Sequence, residues 1–210
     1  MSENKNTKSL SKRKIELKAI GEWIADGERV LDLGCGRGIL LSELARKKNI
    51  YGVGVDSDFD KISRAIKRGV NAYHGDIMDL LSAFDDDSFD WIICSRTLPE
   101  LENAREVVFE ALRVGRRVAV GFVNHAYWRN RLYMALTGSR IVNDVFPERW
   151  DTARPMNPIS INSFKEFCKE NDITIARSHF LRGDWETPCP LLPNLLSGYA
   201  IFEILKDKKQ

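Results

Sequence analysis

Residues 30–38 read VLDLGCGRG, an apolar strand that runs through an acid into a turn with three glycines. Val30, Leu31 and Leu33 have the continuous apolar character of a parallel strand covered on both faces. Gly34, Gly36 and Gly38 remove side chains where the backbone must turn sharply and let a ligand come close. A helix predicted over residues 39–47 aims its unpaired N–H groups at that ligand. Asp32 stands just ahead of the turn. A carboxylate there repels a pyrophosphate and welcomes an ammonium group, so the turn points to a nucleoside with an amino-acid head over a dinucleotide.

Outward from the turn, strands and helices alternate. Strands are expected at 30–33, 51–55, 70–73, 89–94, 118–123, 173–180 and 198–205. Helices are expected at 13–25, at 39–47, after an Asp58 cap with Ile62, Ala65 and Ile66 on one face, at 102–112, at 127–136 and from a Ser160 cap to Glu170. Gly75-Asp76 reads as a turn, 138–158 as irregular, and 183–197 as too proline-rich for regular structure. Such alternation predicts an α/β fold: a seven-stranded, mostly parallel, doubly wound sheet with helices on both faces. The last two strands lie too close for a helical crossover, so the last strand is expected to be antiparallel.

With 210 residues, 32 basic and 30 acidic side chains and a net charge of +2, the chain fits one domain over 13–210 behind a disordered basic tail, 1–12. The charge balance gives no reason to expect a nucleic-acid partner. No apolar run reaches the length of a membrane span, and the N-terminus lacks the apolar core of a signal peptide. The four cysteines (Cys35, Cys94, Cys168, Cys189) form no C-x-x-C pair and read as reduced thiols of a cytoplasmic protein. None of the three histidines stands at ligand spacing, so no metal site is expected.

In a sheet of this kind the ligand lies beyond the carboxyl ends of the strands. Asp56 ends the second strand about twenty residues past the turn, where a ribose-binding acid belongs. Asp76 and Ile77 follow the third strand, suited to an adenine amino group and ring face. Cys35 within the turn, Ser57 beside Asp56, and Ser95 at the end of the fourth strand complete the expected contact set. A dehydrogenase is the rival, but its G-x-G-x-x-G turn needs glycine at position 39, where this chain has Ile39. The set of Asp32, the glycines, Asp56 and Asp76 therefore favours S-adenosylmethionine or S-adenosylhomocysteine over NAD.

The motifs resemble the class I S-adenosylmethionine-dependent methyltransferase fold. By that resemblance Gly34, Gly36 and Gly38 line the methionine portion, Asp32 lies near its amino group, Asp56 holds the ribose, and Asp76 and Ile77 flank adenine. The runs VLDLGCGRGILLSEL, GDIMDLL, DDDSFDWIICSRTLPEL and ALRVGRRVAVGFVNHAYWRNRLYMALTG resemble the MetW methionine biosynthesis family more closely, over about residues 29–180. That resemblance implies a partner that supports homoserine O-acetyltransferase. Two positions depart from the family pattern: Arg96 at the exit of strand four, and Asn157 where a histidine is usual.

No Asn-Pro-Pro-Tyr segment follows strand four, which disfavours transfer to a nucleobase amine. Methyl transfer to a hydroxyl or amine usually needs a base, and the candidates are His125 and Tyr127, past strand five. Trp128, Leu132 and Ala135 repeat at helical spacing and are expected to pack in the core. Arg129, Arg131, Arg140, Arg149 and Arg154, with Trp150, have the composition of a contact site or of a lid for an acidic substrate. Leu191, Leu192, Leu195 and Leu196 lie in a loop expected to overhang the pocket, either covering the cofactor or meeting another protein. An active methyltransferase acting on a small molecule stands as the alternative to the partner role.

Overall fold

The computed structural model describes residues 18–143, 146, 148–149, 151–153 and 156–207. The expected tail, the start of the opening helix, Trp150 and Arg154 lie outside the described residues. The strands are β1 (Arg29–Leu33), β2 (Tyr51–Asp56), β3 (Asn71–His74), β4 (Phe89–Ser95), β5 (Gly115–Val123), β6 (Ile173–Leu181) and β7 (Tyr199–Lys206). They form one sheet in the order β3-β2-β1-β4-β5-β7-β6. β7 runs antiparallel between β5 and β6; the pairings from β3 to β5 are parallel. This is the expected fold, antiparallel last strand included. The helices are α1 (residues 18–23), α2 (Ile39–Lys48), α3 (Phe59–Lys67), α4 (Ile77–Ser82), α5 (Ala104–Val114), α6 (Trp128–Thr137), α7 (Ile161–Glu170) and α8 (Pro193–Leu196).

Side-chain alternation along the strands divides the interior in two. Leu31, Leu33, Ile92, Cys94, Val118, Val120 and Phe202 pack with α4, α5 and α7. Val30, Trp91, Ile93, Ala119, Tyr199 and Ile201 pack with α1, α2 and α3. Both faces are buried, which is why the strands read as unbroken apolar runs. Asp58 caps α3 by accepting from Lys61 N at 3.1 Å, and Ser160 caps α7 in a reciprocal box with Ser163.

Several expectations change. α4 occupies what reads as a turn, because Asp76 caps it by accepting from Met78 N at 2.7 Å, and one and a half turns are too short to show a period. α8 forms within the proline-rich loop because Pro193 sits in its first turn, where no N–H is needed. In α3, Ile62 and Ala65 are buried but Ile66 is 55% exposed. In α6 the core-packing expectation fails: Trp128 is 39% and Leu132 49% exposed, and Ala135 is exposed too. α6 lies past the end of β5 and contributes no residue to either core cluster; its buried residue is Asn130.

Gly54 of β2 faces Asp32 in the register, and a Cβ there would fall 2.6 Å from Cys35 Sγ. Gly54→Ala is therefore expected to cost about 1–3 kcal/mol through overpacking, read as a lower urea midpoint at unchanged slope.

Candidate functional site

The strand order reverses between β1 and β4, and the glycine turn opens at that switch point. Gly34, Gly36 and Gly38 all take left-handed backbone, with φ of 76°, 58° and 67°. Gly34 N and Cys35 N both donate to Val55 O at 2.9 Å. Gly36 N donates to Asp56 Oδ2 at 2.9 Å, and Asp58 N donates to Asp56 Oδ1 at 2.9 Å. Lys61 Nζ lies 3.6 Å from Asp56 Oδ1. The carboxylate thus joins the turn to the end of β2 while remaining 7% exposed. Asp32, 5% exposed, lies between Gly54 and Ile93 in the register.

Of the sequence-derived set, Asp32, Gly34, Cys35, Gly36, Gly38 and Asp56 converge around this turn. The Cys35 side chain is buried against Gly54, so its backbone is what faces the turn. Ser57 is exposed beside it, and its carbonyl meets His74 Nε2 at 3.1 Å. Asp76 is exposed at the neighbouring strand end, and Ile77 is buried in the core beside it. Ser95 stands across the switch point, its Oγ 3.5 Å from Tyr199 Oη.

Thr97 escaped the sequence reading. Its hydroxyl donates to Leu33 O at 2.8 Å, and a Cβ on Gly34 would fall 2.4 Å from its Oγ1. Gly34 is therefore required twice, by its φ and by this approach. Phe59, 66% exposed, meets the His74 ring edge-on at 5.6 Å and also went unread. Arg96 takes φ 65°, donates from its N–H to Gly121 O at 2.6 Å, and lays its guanidinium 5.6 Å over Trp185. Asn157 ties the irregular stretch to the turn after β4, donating from N to Pro99 O and from Nδ2 to Leu101 O, both at 2.7 Å.

The expected catalytic candidates differ in setting. The His125 ring packs 4.7 Å from Phe146. Burial depresses its pKa, the Arg140 charge adds to this, and a hydrogen bond with the Val123 backbone opposes it. Tyr127 caps α6, and its hydroxyl end lies over Gly183. Burial pushes the Cys94 and Cys168 thiols up to about 12 and raises Cys189 as well. These three cysteines stay protonated at neutral pH and are poor nucleophiles. Fully buried Asn124 donates from Nδ2 to Ser197 O at 2.8 Å and Asn194 O at 3.0 Å, and its Oδ1 accepts from Ala126 N and Ile161 N. Among the described residues no helix is long and apolar enough to cross a membrane, and no three His, Cys, Asp or Glu side chains group as metal ligands.

Sheet order, antiparallel last strand and glycine turn at the switch point define a protein of the class I S-adenosylmethionine-dependent methyltransferase fold. Magnesium protoporphyrin IX methyltransferase from Synechocystis, solved with bound S-adenosylhomocysteine, superposes with a TM-score of 0.67 at 16% identity, covering 94% of this chain and 84% of that one. The family model for methionine biosynthesis protein MetW matches residues 14–204, and the chain belongs to that family. The bifunctional methionine biosynthesis protein MetXA/MetW of Rhodopirellula baltica is 36% identical over 121 residues, which cover 54% of this chain and 19% of that protein. A ubiquinone biosynthesis O-methyltransferase of Hahella chejuensis is 28% identical, covering 58% of this chain and 53% of that one. The chain thus spans between 19% and 56% of the length of the curated relatives it matches.

Asp56→Asn sets an amide NH₂ against one of two backbone N–H groups and is expected to cost about 1–3 kcal/mol, measured by urea unfolding. Because folding depresses the His125 pKa, the unfolded chain binds the proton more readily. His125 then contributes full stability above the ordinary histidine value of about 6.5 and loses it as pH falls through the depressed folded value. Thermal unfolding across that window is expected to show a weaker acid loss in His125→Gln.

Proposed function

We propose that this chain binds S-adenosylmethionine or S-adenosylhomocysteine across the glycine turn and supports homoserine O-acetyltransferase as a protein partner. The observation that carries the first half is the turn itself, with three left-handed glycines between two nearly buried carboxylates at adjacent strand ends. Asp32 is assigned to the ammonium group. Each Asp56 oxygen accepts one backbone N–H and keeps acceptor capacity for a ribose hydroxyl, so these acceptors fit the cofactor. Gly34, Cys35, Gly36 and Gly38 give it a backbone floor. Ser57, Asp76 and Ile77 are assigned to the adenosine side and Ser95 to the methionine side. When bound, S-adenosylmethionine supplies an activated methyl group.

The partner half is supported by the joining of MetXA and MetW in one Rhodopirellula baltica polypeptide. It is also supported by α6, whose Trp128, Leu132 and Leu136 share one side of the helix and are 39%, 49% and 76% exposed; an apolar helix face of this kind is suited to cover by another protein. Buried cysteines outside any disulfide, Cys94, Cys168 and Cys189 among them, support a cytoplasmic setting for the pair. A second reading, methyl transfer to a small acceptor, is favoured by His125, which its depressed pKa keeps in the base form at neutral pH.

Calorimetry with S-adenosylhomocysteine is expected to give saturable binding that Asp32→Asn weakens at least about tenfold. Homoserine O-acetyltransferase is expected to co-purify with the chain and to acetylate homoserine faster in its presence. Leu132→Glu with Leu136→Glu should abolish both effects and leave cofactor affinity unchanged. Equal acetylation with and without the chain sinks the partner role, and label passing from methyl-labelled cofactor to a metabolite establishes the second reading.

A further inference from the structure

A cavity of about 260 Å³ opens where β5 ends, between α6 and the loop that joins β6 to β7. It lies on the opposite side of β4 from the glycine turn. Tyr127, Tyr133, Ile141 and Trp185 give it aromatic and apolar walls, and Arg129 supplies a cation. Among the described residues no aspartate or glutamate lines it.

Two donors face this space without a mate. Among the described residues the Arg129 guanidinium makes no ion pair or hydrogen bond, its contact being the Trp128 ring at 5.4 Å. The Tyr127 hydroxyl likewise makes no hydrogen bond among the described residues. Room for that phenol exists because position 183 is glycine: a Cβ there would fall 2.4 Å from Tyr127 Oη. Arg96 lies behind the wall, its guanidinium 5.6 Å over Trp185.

Around the cavity Arg129, Arg131 and Arg140 follow the end of β5 with no acid from 124 to 143, and Asp184 of the facing loop spends its carboxylate on Glu186 N, Thr187 N and Thr187 Oγ1. A cleft with low-dielectric walls and one sign of charge concentrates ligands of the other sign. A guanidinium matches a carboxylate with two parallel hydrogen bonds. The volume lies just under the roughly 300–1,000 Å³ typical of sites for larger ligands, which sets the size of the occupant.

We propose that this cavity is a binding site for a small carboxylate with an apolar or aromatic body, the carboxylate meeting Arg129 and Tyr127 and the body lying against Tyr133 and Trp185. It is separate from the cofactor assignment and stands if that assignment fails.

The test titrates the full chain, by amide-detected NMR, with phenylacetate and hexanoate and with the neutral amide of each. At least one acid is expected to shift the backbone signals of Tyr127, Gly183 and Gly198 saturably, and its amide to bind about tenfold more weakly or less. Arg129→Gln, at an exposed position, should keep a dispersed spectrum and unchanged S-adenosylhomocysteine titration while losing about tenfold in affinity for the acid. Gly183→Ala should lose affinity too, by displacing the Tyr127 ring. Equal binding of acid and amide, full affinity in Arg129→Gln, or no saturable shift at the lining residues with either acid overturns the proposal.

Discussion

The Asp56 carboxylate holds the turn after β1 against the end of β2. Three left-handed glycines alternate with Cys35 and Arg37 in this loop, and each glycine loses more backbone freedom on folding than any other residue. The Gly36 N–H on Oδ2 and the Asp58 N–H on Oδ1 supply the missing constraint from outside. Val55 O adds two more bonds, to Gly34 N and Cys35 N. The same acid thus has two uses: it shapes the loop, and it keeps acceptor capacity directed at whatever the loop receives. Were it merely a surface acid after a strand, Gly36 N and Asp58 N would each lose the oxygen that receives them.

Much of this is legible in the sequence. Sheet strands buried on both faces leave a strong apolar signal, and the acid and glycines around positions 32–38 and 56 belong to short, local geometry. The missed features are those for which the sequence carries no local signal. Thr97 matters through a bond to Leu33 O, 64 residues back in the chain. Arg96 takes left-handed backbone, which few non-glycine residues do and which their identity does not announce. α4 is too short to display a period, so its start at Gly75-Asp76 reads as a turn.

α6 shows a different kind of failure. Trp128, Leu132 and Ala135 have helical spacing, and the helix forms where expected. Periodicity reports an apolar face, however, and says nothing of what covers it. Here the helix lies past the end of β5, and its apolar residues meet solvent in the isolated chain. The one residue it buries is polar, Asn130, whose Nδ2 donates to Asn124 O and His125 O at 3.4 Å. A helix anchored by amides and apolar on the outside suits the proposed contact with another protein.

Asn124 has a mechanical consequence. One fully buried amide gives both donors to the segment ending in Ser197, while its oxygen receives N–H groups from the approaches to α6 and α7. Withdrawing any one of these elements strands a polar group where no water reaches. The three therefore share one buried amide, so that displacing the approach to α6 costs hydrogen bonds that also hold the start of α7 and the segment before β7.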